Sequence, residues 1–434
     1  MNINLSKQFY NYSKLPKNWK EKKLKYVIGF SEKTSDSFKN DKKLSLTKNG
    51  IIIKNTDSNQ GQIAESYEKY ISVEKNQICM NPMDLLSGWV DISKYQGLIS
   101  PAYYTLDVKK EFDTKFINYF LQSNYLRKTF FKLGKGIASH DNLGRWVLTS
   151  EELKNVVIFL PELREQKLIS QYLDKKIEQI NSLKKKYEKK ILFLKEELLI
   201  LINNSVTKGL KINQDLKYVN SKFLKKIPNS WNFLKLSNIG IFSKGKNITK
   251  NDLQINGNQV ILYSHIYTYY DRYVEKADFF ISEQKNNESV KIKKGDFLFT
   301  SSGETVEEIG KTIVYNGNLE IAVGGDLVIF KFKDTNKYDP EFFSFLFNSK
   351  FVQDQKSSNS RGEIVVHIYE KQLRDLRICF PKDINEQKEI SLMLKNKEKK
   401  CNQLIDRYKK KITLLNEYLK TTISSTIMGK NLVN

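Results

Sequence analysis

Two stretches of the chain carry an apolar repeat of seven. The first runs Leu173, Ile177, Ile180, Lys184, Tyr187, Ile191, Leu194, Leu198, Leu201, broken only at Lys184. The second runs Leu394, Glu398, Cys401, Ile405, Tyr408, Ile412, Leu415, Leu419 and is weaker at Glu398. Steps of three and four residues place one apolar seam along one face of a helix, as in a coiled coil. The first helix is expected to begin near Pro161, where a proline in the first turn costs no hydrogen bond, with Glu162 and Glu165 where the helix dipole favours an acid. Gly209 and Gly429 lie just past the two stretches, where a left-handed C-cap falls. Helices of about 45 residues are roughly 65 Å long. That is too long for the core of a globule, so the two are expected to bury their seams on each other.

The remaining sequence has a different texture. Short β-rich runs (50–54, 97–108, 295–300, 321–332) alternate with turn residues, and a helical pattern covers 115–133. Each such region reads as a mixed α/β globule. The expected architecture is therefore α+β: a globule over 1–160, a long helix over 161–212, a second globule over 213–380 and a second long helix over 381–434.

This order is itself a repeat. Leu15-Pro16-Lys17-Asn18-Trp19 is answered by Ile227-Pro228-Asn229-Ser230-Trp231, and Asp113, Phe116 and Ser123 by Asp339, Phe342 and Ser349. Lys135-Gly136 with His140 is answered by Arg361-Gly362 with His367, and Pro161 with Glu165-Gln166-Lys167 by Pro381 with Glu386-Gln387-Lys388. Four matches in the same order identify a tandem duplication with an internal pseudo-two-fold relation.

Charge narrows the class of partner. The 434 residues hold 73 Lys+Arg against 49 Asp+Glu, a net charge of +24, which suits a polyanion. Three dispersed cysteines and three dispersed histidines offer no metal or disulfide framework and fit a reducing cytoplasm. There is no apolar run long enough for a membrane span and no apolar signal segment in the first residues, so a membrane partner is not expected. Catalytic signatures are missing as well. Asn81-Pro82-Met83-Asp84 lacks the aromatic residue of an amino-methyltransferase loop, no GxxxxGK[ST] nucleotide loop occurs, and no nuclease or Ser/His/Asp set stands out. A stand-alone nuclease or methyltransferase with a divergent site, or a coiled-coil scaffold, stays open on these residues.

The duplicated Glu-Gln helix starts, the segment from Gly88 through Gly97-Leu98-Ile99-Ser100-Pro101-Ala102-Tyr103-Tyr104, and Gly295-Asp296-Phe297-Leu298 together resemble the specificity (S) subunit of type I restriction–modification systems. The resemblance spans essentially the whole chain. The second copy departs from the first: Gly324-Gly325 stands where the first has Ser100-Pro101.

The resemblance implies two target-recognition domains separated by an antiparallel pair of long helices. Each domain would read one part of a split site in double-stranded DNA, with no catalysis and no cofactor in this chain. Two modification subunits would bind S-adenosylmethionine, and two restriction subunits would use ATP and Mg.

Candidate DNA contacts follow from residue chemistry. Lys132, Lys135, His140 and Arg145 in the first copy, and Lys356, Arg361 and His367 in the second, lie in or beside glycine-containing segments that can place cations on phosphates. Trp89, Tyr103 and Tyr104 offer aromatic faces, and Lys244, Lys246 and Thr249 follow the second Pro-x-x-Trp. Trp19 and Trp231, kept in both copies, are expected in the core. Glu165, Gln166, Glu386 and Gln387 are candidates for contact with a modification subunit or for helix capping.

Overall fold

The first and last strands of each globule pair into a two-stranded antiparallel ribbon that leads into a long helix. In the first copy Lys20–Lys23 pairs with Val157–Leu160, with Lys20 opposite Leu160. In the second Trp231–Lys235 pairs with Arg377–Pro381, with Asn232 opposite Phe380. The computed structural model describes residues 16–34, 41–47, 50–54, 66–83, 90–133, 135–137, 145–211, 213–246, 248–303, 305–306, 308–360 and 366–430. These form two units, one of residues up to 188 with those from 409 onward, the other of residues 189–408.

In the first unit the main sheet is antiparallel, in the order Ile28–Ser31, Tyr104–Val108, Ile78–Met80, Val90–Ile92. In the second the same four places are taken by Gly240–Lys244, Leu327–Phe332, Phe297–Thr300 and Thr312–Tyr315, and Tyr273–Val274 adds a parallel fifth strand. A second, five-stranded sheet runs from Leu253–Gln254 to Val290–Ile292; in the first unit its counterpart is two strand pairs, Leu44–Thr47 with Gly50–Ile53 and Ile71–Val73 with Gly97–Ile99, joined by a bridge between Lys43 and Leu98. A helix follows each main sheet. Thr114–Leu121 is capped by the Asp113 carboxylate and Pro340–Phe347 by that of Asp339, each accepting the backbone N–H three residues on. Their apolar faces fill the cores: Phe116, Ile117 and Phe120 in the first, Phe342, Phe343 and Phe347 in the second. Trp19 and Trp231 stand in these same cores.

The long helices span Leu163–Lys208 and Ile384–Ile427. Neither begins at its proline. Pro381 ends the ribbon strand and Pro161 directly follows one, where a missing N–H also costs nothing. Gly209 and Gly429 do cap the far ends, at φ +73° and +65°.

Within each unit the helix segments run antiparallel. In the second, Lys190 lies over the ring of Tyr408 at 5.6 Å and the Cys401 thiol donates to the Leu194 carbonyl at 3.4 Å. In the first, Lys411 lies over Tyr187 at 5.4 Å, and Leu173 and Ile177 share a core with Leu419, Ile423 and Ile427. Leu173, Ile180, Leu394 and Ile405 are buried, and Ile177, Tyr187, Ile191, Leu194, Leu198, Tyr408, Ile412, Leu415 and Leu419 are half-buried; the positions between them are mostly exposed.

The weak seam position, Glu398, is occupied by an ion pair. Arg272, buried in the second unit, donates to Glu398 at 2.8 Å and to Glu341 at 2.7 Å, and its guanidinium lies 3.7 Å from the centre of the Phe345 ring. The first copy has Ile177, Lys115 and Tyr119 at the matching places, and there Lys115 pairs with Asp174 at 2.5 Å.

Candidate nucleic-acid interface

One end of each main sheet collects the same set of connections. In the second unit Lys244, Leu327 and Thr300 end or begin adjacent strands in register. The chain leaving Lys244 and Thr300 and the chain entering Leu327 therefore lie side by side, and Ile368 N–H donates to the Ser301 carbonyl at 2.9 Å, tying 366–368 to them. In the first unit Ser31, Tyr104, Met80 and Val90 mark the same end, and Leu148 N–H donates to the Pro82 carbonyl at 3.1 Å. The register that carries these loops is common to both copies, while the loops differ in length and chemistry.

The second unit's cluster is held by few bonds. Gly245 lies so close to Gly324 that a Cβ on Gly245 would stand 2.0 Å from the Gly324 carbonyl oxygen. This close backbone approach accounts for glycine at 245, whereas a Cβ on Gly324 itself would meet the Leu262 side chain at 2.7 Å. Lys244 and Lys246 flank the contact and are exposed; Thr249 is exposed and its hydroxyl donates to Asp252. His367 is half-buried, its Nδ1 3.0 Å from Ser302 Oγ. Tyr267 pins the same loop: its hydroxyl lies 2.8 Å from Thr300 Oγ1 and donates to the carbonyls of Ser302 and Glu308.

Beside Tyr267 opens a cavity of about 580 Å³ lined by Lys250, Tyr263, Ser264, Lys311 and Gln353 among others. Burial lowers the pKa of Lys311, and Asp271 and Glu308 partly restore it.

The opposite end of each domain meets its helix through a duplicated joint. The Trp19 indole donates to Glu165 and the Trp231 indole to Glu386, both at 3.0 Å. Gln166 Oε1 accepts from Asp113 N–H at 2.9 Å while its Nε2 donates to the Pro161 carbonyl at 2.9 Å. Gln387 repeats both bonds, to Asp339 N–H at 2.8 Å and to Pro381 at 2.9 Å. Ser170 and Ser391 each donate to the capping aspartate at 2.6 Å. Two copies of one joint mark a shared scaffold.

A family model described as the type I restriction modification DNA specificity domain matches residues 16–192 and again 228–414. The chain belongs to this family. It is a DNA specificity subunit of a type I restriction–modification system, with two specificity domains of mixed helix and sheet and two long helices. Among solved structures, a chain from a study of complex assembly and conformational transition in a type I R-M system is 13% identical, with a TM-score of 0.70 over 96% of this chain and 100% of that one. The HsdS subunit from Thermoanaerobacter tengcongensis is also 13% identical, with a TM-score of 0.52 over 96% and 98%. These likenesses are of fold. Among curated proteins, no sequence matches.

The structure gives several of the residues expected at DNA other contacts. Lys356 is fully buried, and its ammonium donates to the carbonyls of Gly310 and Phe347 and to Thr312 Oγ1; burial lowers its pKa to about 7. It pins the domain's interior and cannot reach a phosphate. Tyr104 donates its hydroxyl to the Leu148 carbonyl and packs its ring edge-on against Phe30, while Tyr103 is half-buried against the small cluster around Leu44 and Ile99. Both rings are half-buried. His367 is not the counterpart of His140. It stands three residues before the Glu370–Arg374 helix, the place Val147 holds before Ser150–Asn155.

Lys132 is exposed in the last turn of Asn124–Leu133. Lys135 and Arg145 lie on paired strands, with Lys135 opposite Val147 and Ile137 opposite Arg145. Trp89, His140 and Arg361 lie outside the described residues. Gln166 and Gln387 are buried with both ends of their amides engaged within their own units, and Glu165 and Glu386 are half-buried against the tryptophans, so their observed bonds are internal.

Lys311 is the residue that motif reading passed over. Val90 pairs with Met80 as Thr312 pairs with Phe299, one residue displaced from the matching ends of the strands. Gly310-Lys311 thus corresponds to Gly88-Trp89, a match visible only once the strands are set in register. Among the described residues no cluster of three or more His, Cys, Asp or Glu could hold a metal, and no helix is long and apolar enough to cross a membrane.

Proposed function

We propose that the two specificity domains read the two halves of a split DNA target and that this chain carries no catalysis and binds no cofactor. S-adenosylmethionine belongs to two modification subunits docked on it, and ATP with Mg to two restriction subunits, all in the cytoplasm. The observation that supports this reading is the duplicated scaffold: sheet register, capping aspartate and helix joint repeat, while the loops at one sheet end diverge. Constant parts position a duplex and variable parts read it, as phosphate and base contacts divide the work in DNA recognition.

Replacing residues 20–155 by the matching segment of a related subunit is expected to change one half of the methylated motif. The half read by the second domain should stay as it was. Sequencing the methylated sites of the recipient strain checks this, and a change in both halves together would defeat independent reading.

An exposed apolar stripe supports docking of the modification subunits on the helices. Leu192, Phe193, Leu199 and Ile200 recur at intervals of seven on the outer side of the first long helix, in the second unit, and Leu404 lies across a groove from Phe193 and Ile200. Exposed apolar surface of this kind marks a protein partner. Phe193→Glu with Ile200→Glu should leave the chain folded and weaken its co-purification with the modification subunit at least tenfold. Unchanged co-purification would place docking elsewhere.

A further inference from the structure

The cavity beside Tyr267 has the composition of a backbone seat. Lys311 and Lys250 both line it, and the ammonium group of neither forms a salt bridge or hydrogen bond among the described residues. Tyr263 and Ser264 also line it, and their hydroxyls make no hydrogen bond among the described residues. The other polar groups are already committed: Tyr267 to the 300–308 loop, Asn348 to the carbonyls of Thr312 and Ser344, and Gln353 to the Ile309 carbonyl. One lining carboxylate, Glu308, opposes the two cations, and Asp271 acts on Lys311 from nearby.

Position matters as much as composition. Lys311 accepts the Thr300 N–H on its carbonyl at 3.1 Å, which fixes it at the end of the main sheet, opposite Thr300. At about 580 Å³ the cavity falls within the usual range for ligand sites, about 300–1,000 Å³.

We propose that this pocket seats a phosphodiester of the target DNA next to the half-site read by the second domain. Lys311 and Lys250 neutralise it, and the Tyr263 and Ser264 hydroxyls donate to its oxygens. The inference rests on the DNA-reading assignment above and adds a named contact to it. The seat belongs to the second domain, because the first has Trp89 at the position of Lys311.

The test uses the full chain assembled with its modification subunit. Affinity for duplex DNA is measured against salt, with the methylated motif sequenced in parallel. Lys311→Met and Lys250→Met should each weaken binding about 3–10-fold and lower the slope of log affinity against log salt by about 0.9, the value for one phosphate contact. Lys311→Arg should keep both near wild type, and the motif should not change. Wild-type affinity and slope in both methionine variants would overturn the proposal. So would relaxation of the motif at one base position, since the lysine would then be reading a base. A wild-type complex with no split motif would sink the specificity reading instead, while the salt slopes would still decide the pocket. Lys250 is exposed, so its variant tests the seat even if Lys311→Met disturbs folding.

Discussion

Arg272→Met is expected to destabilise the second unit by about 3–5 kcal/mol, the usual cost of removing one partner from a buried ion pair. That lowers its thermal midpoint on the order of 10 °C. The arginine side chain is only 7% exposed, and Glu341 and Glu398 are 18% and 23% exposed. The substitution therefore leaves two largely desolvated carboxylates facing each other across the lost guanidinium. Glu341 retains Lys395 at 3.8 Å, but Glu398 has no other salt bridge among the described residues. The first copy shows the alternative arrangement, with Ile177 at the position of Glu398 and the charge pair moved to Lys115 and Asp174. Arg272→Met combined with Glu398→Ile should accordingly regain part of the loss, since it removes the carboxylate left without a cation while Glu341 keeps Lys395. Calorimetry of the two variants checks both statements. Equal destabilisation in single and double variants would mean that the arginine acts through its packing on Phe345.

Local signals in the sequence were enough for the helices and not for the joints. The seam could be read because Leu173, Ile180, Leu394 and Ile405 recur within a few turns of one helix, and helical period is a property of neighbours. Glu398 looked like a defect because its partner, Arg272, lies 126 residues away. The Glu-Gln pairs stood out through duplication, but Glu165 binds a tryptophan 146 residues earlier, and no local pattern specifies such a contact. Lys356 illustrates the converse error. A lysine close to a glycine and an arginine suggests phosphate, yet Phe130 at the same place in the first copy is buried and already points to an interior position. Composition singled out Lys244, Lys246 and Thr249 in one of the divergent loops, but the correspondence of the loops between the copies came from strand register. Register placed Lys311 opposite Trp89 and separated His367 from His140.

The paired glutamines provide the sharpest contrast between a scaffold role and a partner role. Gln387 is fully buried; its carbonyl oxygen accepts from Asp339 N–H, and its amide donates to the carbonyls of Pro381 at 2.9 Å and Lys337 at 3.2 Å. Gln387→Ala strands one N–H and two carbonyls in a buried joint. Each unsatisfied group costs about 1–3 kcal/mol, and since they share one cavity, about 3–5 kcal/mol in total is expected. Gln387→Glu should be no better, because a carboxylate can accept from Asp339 but cannot donate to either carbonyl, and it adds a buried charge. Gln166→Ala should act in the same way on the first unit, where it holds Asp113 and Pro161. Hydrogen exchange on the isolated chain gives the answer by location. Gln166→Ala should deprotect Thr114–Leu121 and the start of Leu163–Lys208, whereas Gln387→Ala should deprotect Pro340–Phe347 and the start of Ile384–Ile427. A glutamine that served a modification subunit would leave exchange in the isolated chain unchanged and reduce only assembly. That outcome would return the Glu-Gln pairs to the interface, and loss of protection confined to the substituted unit would assign them to the joint between domain and helix.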